Sequence, residues 1–168
     1  ALPIWLFVME AMWTRFLPAF GQIREWIKDG LIGEPKLIQA TYGYAGGEDR
    51  TRRHLNRELG GGALLDIGIY NLMLGGDIFG YQPVDLQASA VLDEVTGVDR
   101  SMSVQLFYGK DRGQSSQFTA SVVTDLGSYA SIYGTDGHID LVQFYHPEAV
   151  VLMTNGGRQG RFIPDDVN

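Results

Sequence analysis

The segment Gly60-Gly61-Gly62-Ala63-Leu64-Leu65-Asp66-Ile67-Gly68-Ile69-Tyr70 sets a carboxylate and a phenol four residues apart, behind a glycine-rich turn. Residues at that spacing share one face of a helix, a turn from each other. Asp66 and Tyr70 are therefore expected to point the same way. A carboxylate among Ala, Leu and Ile is costly to bury unless it is hydrogen-bonded or used. Beside a phenol it forms a pair able to hold, give or take a proton. The same pair could also serve structure alone, as a helix cap or a buried hydrogen bond.

The run Gly61-Gly62-Ala63-Leu64-Leu65-Asp66-Ile67-Gly68-Ile69-Tyr70 resembles the Gly-Gly-x-x-x-x-Asp-x-Gly-x-His motif of the glucose–fructose oxidoreductase/inositol dehydrogenase family (Gfo/Idh/MocA). Tyr in place of His is the variant of its dihydrodiol and xylose dehydrogenase branch. Met9-Glu10-Ala11-Met12-Trp13-Thr14-Arg15-Phe16-Leu17-Pro18 is similar to the start of that branch's second domain. Gly30-Leu31-Ile32-Gly33-Glu34-Pro35 is similar to the family's helix-to-strand turn.

The resemblance implies a nicotinamide-dependent dehydrogenase acting on the CH–OH group of a diol, sugar or polyol. Tyr70 and Asp66 become the catalytic candidates. A phenol near its ordinary pKa of about 10 exchanges a proton only when a nearby cation lowers that value. The family's cation is a lysine in a Glu-Lys-Pro-like stretch that precedes this domain. Here the first lysine is Lys28, and no Gly-x-Gly-x-x-Gly turn occurs. That turn is what seats a pyrophosphate on a helix N-terminus. Residues 1–168 are thus expected to form one domain, the substrate-side half of a two-domain enzyme. NAD or NADP would be held by the other half, with no dinucleotide bound tightly here.

Trp13 is a candidate platform for an aromatic or sugar ring, and Arg15 could hold Glu10 or Asp66. The branch likeness makes Tyr42 and Tyr145 walls of the substrate pocket; core or interface packing would use them equally well. Arg50, Arg52, Arg53 and Arg57 could meet cofactor phosphates or a neighbouring subunit, or simply be solvated. His54, His138 and His146 share no ligand spacing and cysteine is absent, so no metal site is expected. There is no Gly-x-Ser-x-Gly elbow for a serine hydrolase.

These residues need elements to position them. Thr14 can cap a helix that carries Pro18 in its first turn and buries Phe16, Phe20, Ile23 and Ile27, ending at Gly30. Lys36 to Tyr44 reads as a strand. Gly46 to Glu58 is a polar loop or irregular helical excursion, and Ala63 to Phe79 is helical. Phe7-Val8-Met9 is a short strand candidate. From Val84 the pattern alternates: Val84–Val95, Ser101–Tyr108, Ser116–Thr124 and Ser128–Tyr133, then Ile139–Val142 and Val150–Met153. Strands with short turns predict an antiparallel meander. Helices first and strands later predict an α+β fold, an open and largely antiparallel sheet with helices on one face.

The other sheet face invites a partner. Val91, Val104, Leu106, Phe118, Val122 and Ile132, with Tyr108, Tyr129 and Tyr133, exceed what one helical layer can cover. The expectation is a homodimer through the open face, which the resemblance also implies.

Composition narrows the rest. A net charge of −7 opposes general nucleic-acid binding. No uninterrupted apolar run approaches the roughly 20 residues of a membrane span, so no membrane is expected. Absence of cysteine is compatible with a reducing cytoplasm, the expected location. A non-catalytic dimeric assembly module and a sugar-binding regulator of the same fold remain alternatives.

Overall fold

The computed structural model describes residues 11–157 and 159–164. The strand expected at Phe7-Val8-Met9, and Glu10, lie outside them.

A 3-10 turn at Trp13–Phe16 leads into helix α1, Pro18–Lys28. Pro18 sits at the first helical positions, where its missing N–H costs nothing. Leu17, not Thr14, precedes the helix as its cap. The Thr14 hydroxyl instead donates to the Tyr145 carbonyl at 2.6 Å. Phe16 falls outside the helical stripe and is exposed, while Ala19, Phe20 and Ile23 are fully buried. Asp29 ends α1, and Gly30 follows in the left-handed region at φ 69°.

Strand β1, Pro35–Gly43, is followed by an irregular excursion with 3-10 turns at Arg53–Leu55 and Arg57–Leu59. The helical segment then opens as a π-turn, Leu64–Gly68, and becomes regular only in α2, Ile69–Phe79. By length and composition the run Arg57–Phe79 could cross a membrane, but half of it is buried inside the protein. It is the core helix of this fold.

Seven more strands follow: β2 (Asp85–Leu92), β3 (Asp99–Tyr108), β4 (Gln114–Ser121), β5 (Gly127–Gly134), β6 (Gly137–Val142), β7 (Ala149–Thr154) and β8 (Gln159–Phe162). They form one sheet in the order β2-β3-β4-β1-β5-β6-β7-β8. Among the described residues, only the β1–β4 pairing is parallel. The open, largely antiparallel sheet with its helical layer is the expected architecture.

Two details differ from the alternation pattern. Strand β8 is additional, paired to β7. The meander is also interrupted, because β1 inserts between β4 and β5. The link between those strands passes over the end of β1, where the Leu126 N–H donates to the Gly43 carbonyl at 3.2 Å. A side chain on Gly43 would strike Leu126 and the Thr124 carbonyl, so the crossing needs a bare backbone. A short turn between two alternating runs looks the same in sequence whether the runs pair or straddle a third strand.

Alternation along each strand divides the residues between two faces. Ile38, Ala40, Val104, Leu106, Tyr108, Phe118, Ile132, Ile139 and Leu152 are buried in the core with the helices. This corrects the composition expected for the open face. Val104, Leu106, Phe118, Ile132, Tyr108 and Val122 all belong to the core, leaving Val91, Tyr129 and Tyr133 outside it. The two central rows of the open face are instead polar, while a neighbouring row carries Phe107, Leu37 and Tyr133. Gln87, Gln105, Gln117 and Gln39 lie directly opposite one another across β2, β3, β4 and β1, with Ser131 continuing the row on β5. The next row reads Ser89, Ser103, Thr119, Thr41 and Tyr129.

Candidate active site

The glycine-rich turn earns its composition from close approach. A side chain on Gly61 would lie 2.4 Å from the Arg53 carbonyl. The turn is bonded there, Gly61 N–H to Asn56 O at 2.9 Å and Gly62 N–H to His54 O at 3.0 Å. Gly62 adopts φ 117°, and its missing side chain leaves room for Asp99. The Asp99 carboxylate accepts from the Leu64 N–H at 2.6 Å, satisfying a donor at the start of the helical segment. The arginine-bearing loop, the glycine turn and the β3 start thus fix the helical segment's beginning. π-turns inside helices often accompany functional sites.

Asp66 lies in that π-turn. Its carboxylate accepts from the Tyr44 hydroxyl at 2.5 Å and from the Arg53 guanidinium. Its side chain is 15% exposed and that of Arg53 57%. Tyr44 follows Ile38, Ala40 and Tyr42 in the period-two pattern of β1, and this alternation was the available sign that it joins the site. Burial, then Asp66, pushes the Tyr44 phenol well above the ordinary tyrosine range, with Arg53 opposing. Tyr44 is therefore a protonated donor at neutral pH.

Tyr70, in the first turn of α2, faces an aromatic cluster. Its ring lies 5.9 Å from Tyr42 and 6.0 Å from Tyr145, both edge-on contacts with planes at 64° and 66°. Tyr42 and Tyr145 stack at 4.8 Å. Trp13 meets Tyr145 edge-on at 6.4 Å and His146 at 5.5 Å. Tyr145 reaches the cluster from the β6–β7 loop, which turns at Gln143 with φ 56°. Fully buried Phe144 anchors that loop. Burial, then Tyr145, Tyr70 and Asp66, push the Tyr42 phenol far above its ordinary value. Asp66 and Tyr70 both bear electrostatically on the Tyr42 phenol, but their contacts differ: Asp66 is bonded to Tyr44 and Arg53, and Tyr70 packs on Tyr42 and Tyr145.

The structure brings together Trp13, Tyr42, Tyr70 and Tyr145, while the Asp66 carboxylate is bonded to Tyr44 and Arg53. Arg15 does not join them. It pairs with Asp77 at 3.3 Å and lies over the Tyr81 ring at 5.7 Å, beside a groove of about 660 Å³ lined by Met12, Phe16, Ile69 and Leu72. Nor is the arginine loop simply solvated: Arg50 pairs with buried Asp93 at 2.9 Å, and Arg53 with Asp66. Sequence reading missed Tyr44 and gave Arg53 no specific partner.

Could these residues seat a dinucleotide's phosphates? Helix α1 begins with Pro18, which lacks an N–H, and the Leu64 N–H is occupied by Asp99, with Asp66 in the same turn. Two carboxylates repel a pyrophosphate where a free helix N-terminus would attract it. Neither of these helix starts fits that group. Nor, among them, do three or more His, Asp or Glu side chains converge as metal ligands.

Residues 20–140 match the family described as the GFO/IDH/MocA C-terminal domain. The chain belongs to this family. Trans-1,2-dihydrobenzene-1,2-diol dehydrogenase of Danio rerio is 37% identical over 162 residues, covering 95% of this chain and 46% of the relative. The enzyme of that name from Xenopus tropicalis is 35% identical over 159 residues, covering 94% of this chain and 46% of its own length. This Gfo/Idh/MocA chain spans about half the length of the curated relatives it matches. Among solved structures, KijD10, a 3-ketoreductase from Actinomadura kijaniata in complex with NADP and TDP-benzene, superimposes with a TM-score of 0.79 at 21% identity. That match covers 95% of this chain and 49% of the neighbour. Aldose-aldose oxidoreductase from Caulobacter crescentus gives 0.77 at 23% identity, covering 92% and 47%. At those identities the structures speak for the fold alone.

Proposed function

We propose that this chain is the substrate-binding and dimerisation domain of a nicotinamide-dependent oxidoreductase that acts on a CH–OH group of a diol, sugar or polyol. The observation that carries the reading is the aromatic cluster of Trp13, Tyr42, Tyr70 and Tyr145, whose Tyr42 phenol feels the charge of the Asp66 carboxylate. Aromatic rings accept the flat or apolar face of a ring substrate, and a carboxylate accepts its hydroxyl protons. The dihydrodiol dehydrogenases among the relatives have names that fit such a substrate. NAD or NADP, held outside these residues, would supply the hydride acceptor or donor. Within this chain, the rings orient the substrate, Asp66 receives a hydroxyl, and Tyr70 exchanges the proton at the reacting carbinol oxygen.

The assembly part of the proposal rests on the open face. Its two central rows of Gln, Ser, Thr and Tyr129 carry no charge across β2, β3, β4, β1 and β5, in a chain of net charge −7. Amides and hydroxyls each donate and accept, so an identical face can satisfy them. A cytoplasmic location follows only as part of this reading.

The test is an assay of the intact protein with NAD and NADP against trans-diols, aldoses and polyols. Turnover of at least one class is expected, and none from residues 1–168 alone. Substrate binding without turnover by the intact protein would favour the sugar-binding regulator.

A further inference from the structure

We propose that Tyr44 and Arg53 are positioning residues that clamp Asp66 as a hydrogen-bond acceptor toward the aromatic cluster. The role rests on the oxidoreductase reading, whereas the clamp can be measured without it. The geometry divides the carboxylate between two donors. The Tyr44 hydroxyl takes Oδ2 at 2.5 Å, and the Arg53 guanidinium takes Oδ1. A carboxylate oxygen has room for more than one donor. Each oxygen therefore retains accepting capacity after the clamp is made.

The two donors come from different elements, which makes the hold rigid. Tyr44 extends β1, and its own N–H is bonded to the Ser121 carbonyl at 3.0 Å. Arg53 belongs to the loop that the glycine turn grips through His54 and Asn56. That loop is tied again by Arg50 on Asp93 and by Arg100 on Glu48. Asp66 thus has its backbone in the helical segment and its charge fixed from the sheet and the loop. Burial of the Tyr44 phenol keeps it a donor at neutral pH. Arg53 is more exposed, so its pairing is weakened by solvent, and Tyr44 is the stronger member. Asp66 and Arg53 are the charges acting on Tyr44 and belong to the clamp itself, and the His54 ring also meets the Tyr44 ring edge-on at 6.3 Å.

The experiment uses the intact protein with Tyr44→Phe, Arg53→Gln, Arg53→Lys and Asp66→Asn. The first readout is the titration of the Tyr44 Cζ signal by carbon NMR, in which no substrate takes part. Asp66→Asn should move its midpoint down, and Arg53→Gln should move it up. A midpoint unmoved by both would overturn the clamp. The second readout is steady-state kinetics. Loss of a hydrogen bond to a charged group, roughly 1.5–3 kcal/mol, corresponds to a fall of about tenfold or more in kcat/KM for Tyr44→Phe. Arg53→Gln should lose less, and Arg53→Lys should regain most of that loss at unchanged cofactor affinity. Wild-type kinetics in Tyr44→Phe would overturn the positioning role even if the titration shifted. An inactive wild type would defeat the oxidoreductase reading, and the titration would still decide the clamp.

Discussion

The rings of Tyr42 and Tyr145 lie face to face, with centroids 4.8 Å apart and planes 11° from parallel. One ring comes from β1 and the other from the β6–β7 loop, so the stack joins the sheet to the loop at the candidate site. Such ring pairs contribute about 0.5–1.5 kcal/mol beyond their buried area. Tyr145→Ala should therefore lower the melting temperature by a few degrees. It should also raise KM for ring-shaped substrates more than it lowers kcat, because the lost surface binds the ground state and the transition state alike. Equal losses in kcat and kcat/KM would assign Tyr145 to the chemical step instead.

Tyr70, four residues after Asp66, packs against both of the stacked rings. A group that moves a proton in the transition state typically contributes about 10²–10⁴-fold. Tyr70→Phe in the intact protein should remove activity on that scale and leave dinucleotide affinity nearly unchanged. The phenylalanine ring preserves the contacts to Tyr42 and Tyr145, so stability should hardly move. Activity within a few-fold of wild type would reduce Tyr70 to a packing residue.

The sheet and the helices packed on it were readable because each rests on a local period, whereas Tyr42 and Tyr145 were named through the family resemblance and Tyr145 sits in a loop that no period marks. Ile38, Ala40, Tyr42 and Tyr44 alternate, and Asp66 and Tyr70 stand one helical turn apart. The partners of the charges were not readable. Arg15 meets Asp77 and Arg53 meets Asp66 only because separate elements cross there, and no spacing along the chain encodes it. The polar character of the open face was hidden for a related reason. Apolar residues such as Val104 and Phe118 stand out in the pattern, yet they belong to the covered face, while the glutamine row emerges only from inter-strand register.

Asp93 shows how the site loop depends on pH. Its carboxylate is 1% exposed at the residue level and accepts from Arg50 and from the Thr96 and Val95 N–H groups. These partners, Arg50 first, hold its folded pKa far below the ordinary value. An acid depressed in the folded state stabilises fully above its unfolded pKa, about 3.9. The stabilisation is lost as pH falls from there through the folded value. Thermal melts of wild type should thus decline below about pH 4. Asp93→Asn should start less stable at neutral pH and show a flatter acid limb. An acid limb of equal steepness in the two proteins would show that other carboxylates govern it.

The open face sets the last expectation. A standard interface buries roughly 800 Å² per partner. Across a face of amides and hydroxyls each hydrogen bond nets only about 0.5–1.5 kcal/mol, so many must form together. Gln117 sits near the middle of the row, flanked by Gln105 and Gln39. A lysine there would stand between the amides of Gln105 and Gln39, and leaving its charge buried and unpaired in an interface costs several kcal/mol. That outweighs any single amide pair. Wild type should therefore sediment as a dimer and Gln117→Lys as a folded monomer, with an unchanged circular dichroism spectrum. A monomeric wild type would remove the interface altogether. A Gln117→Lys variant that stays dimeric would move it elsewhere on the surface. The apolar groove offers a second adhesive patch through exposed Phe16, Ile69 and Tyr81. A series of larger species growing with concentration, and abolished by Phe16→Glu rather than by Gln117→Lys, would assign association to that groove.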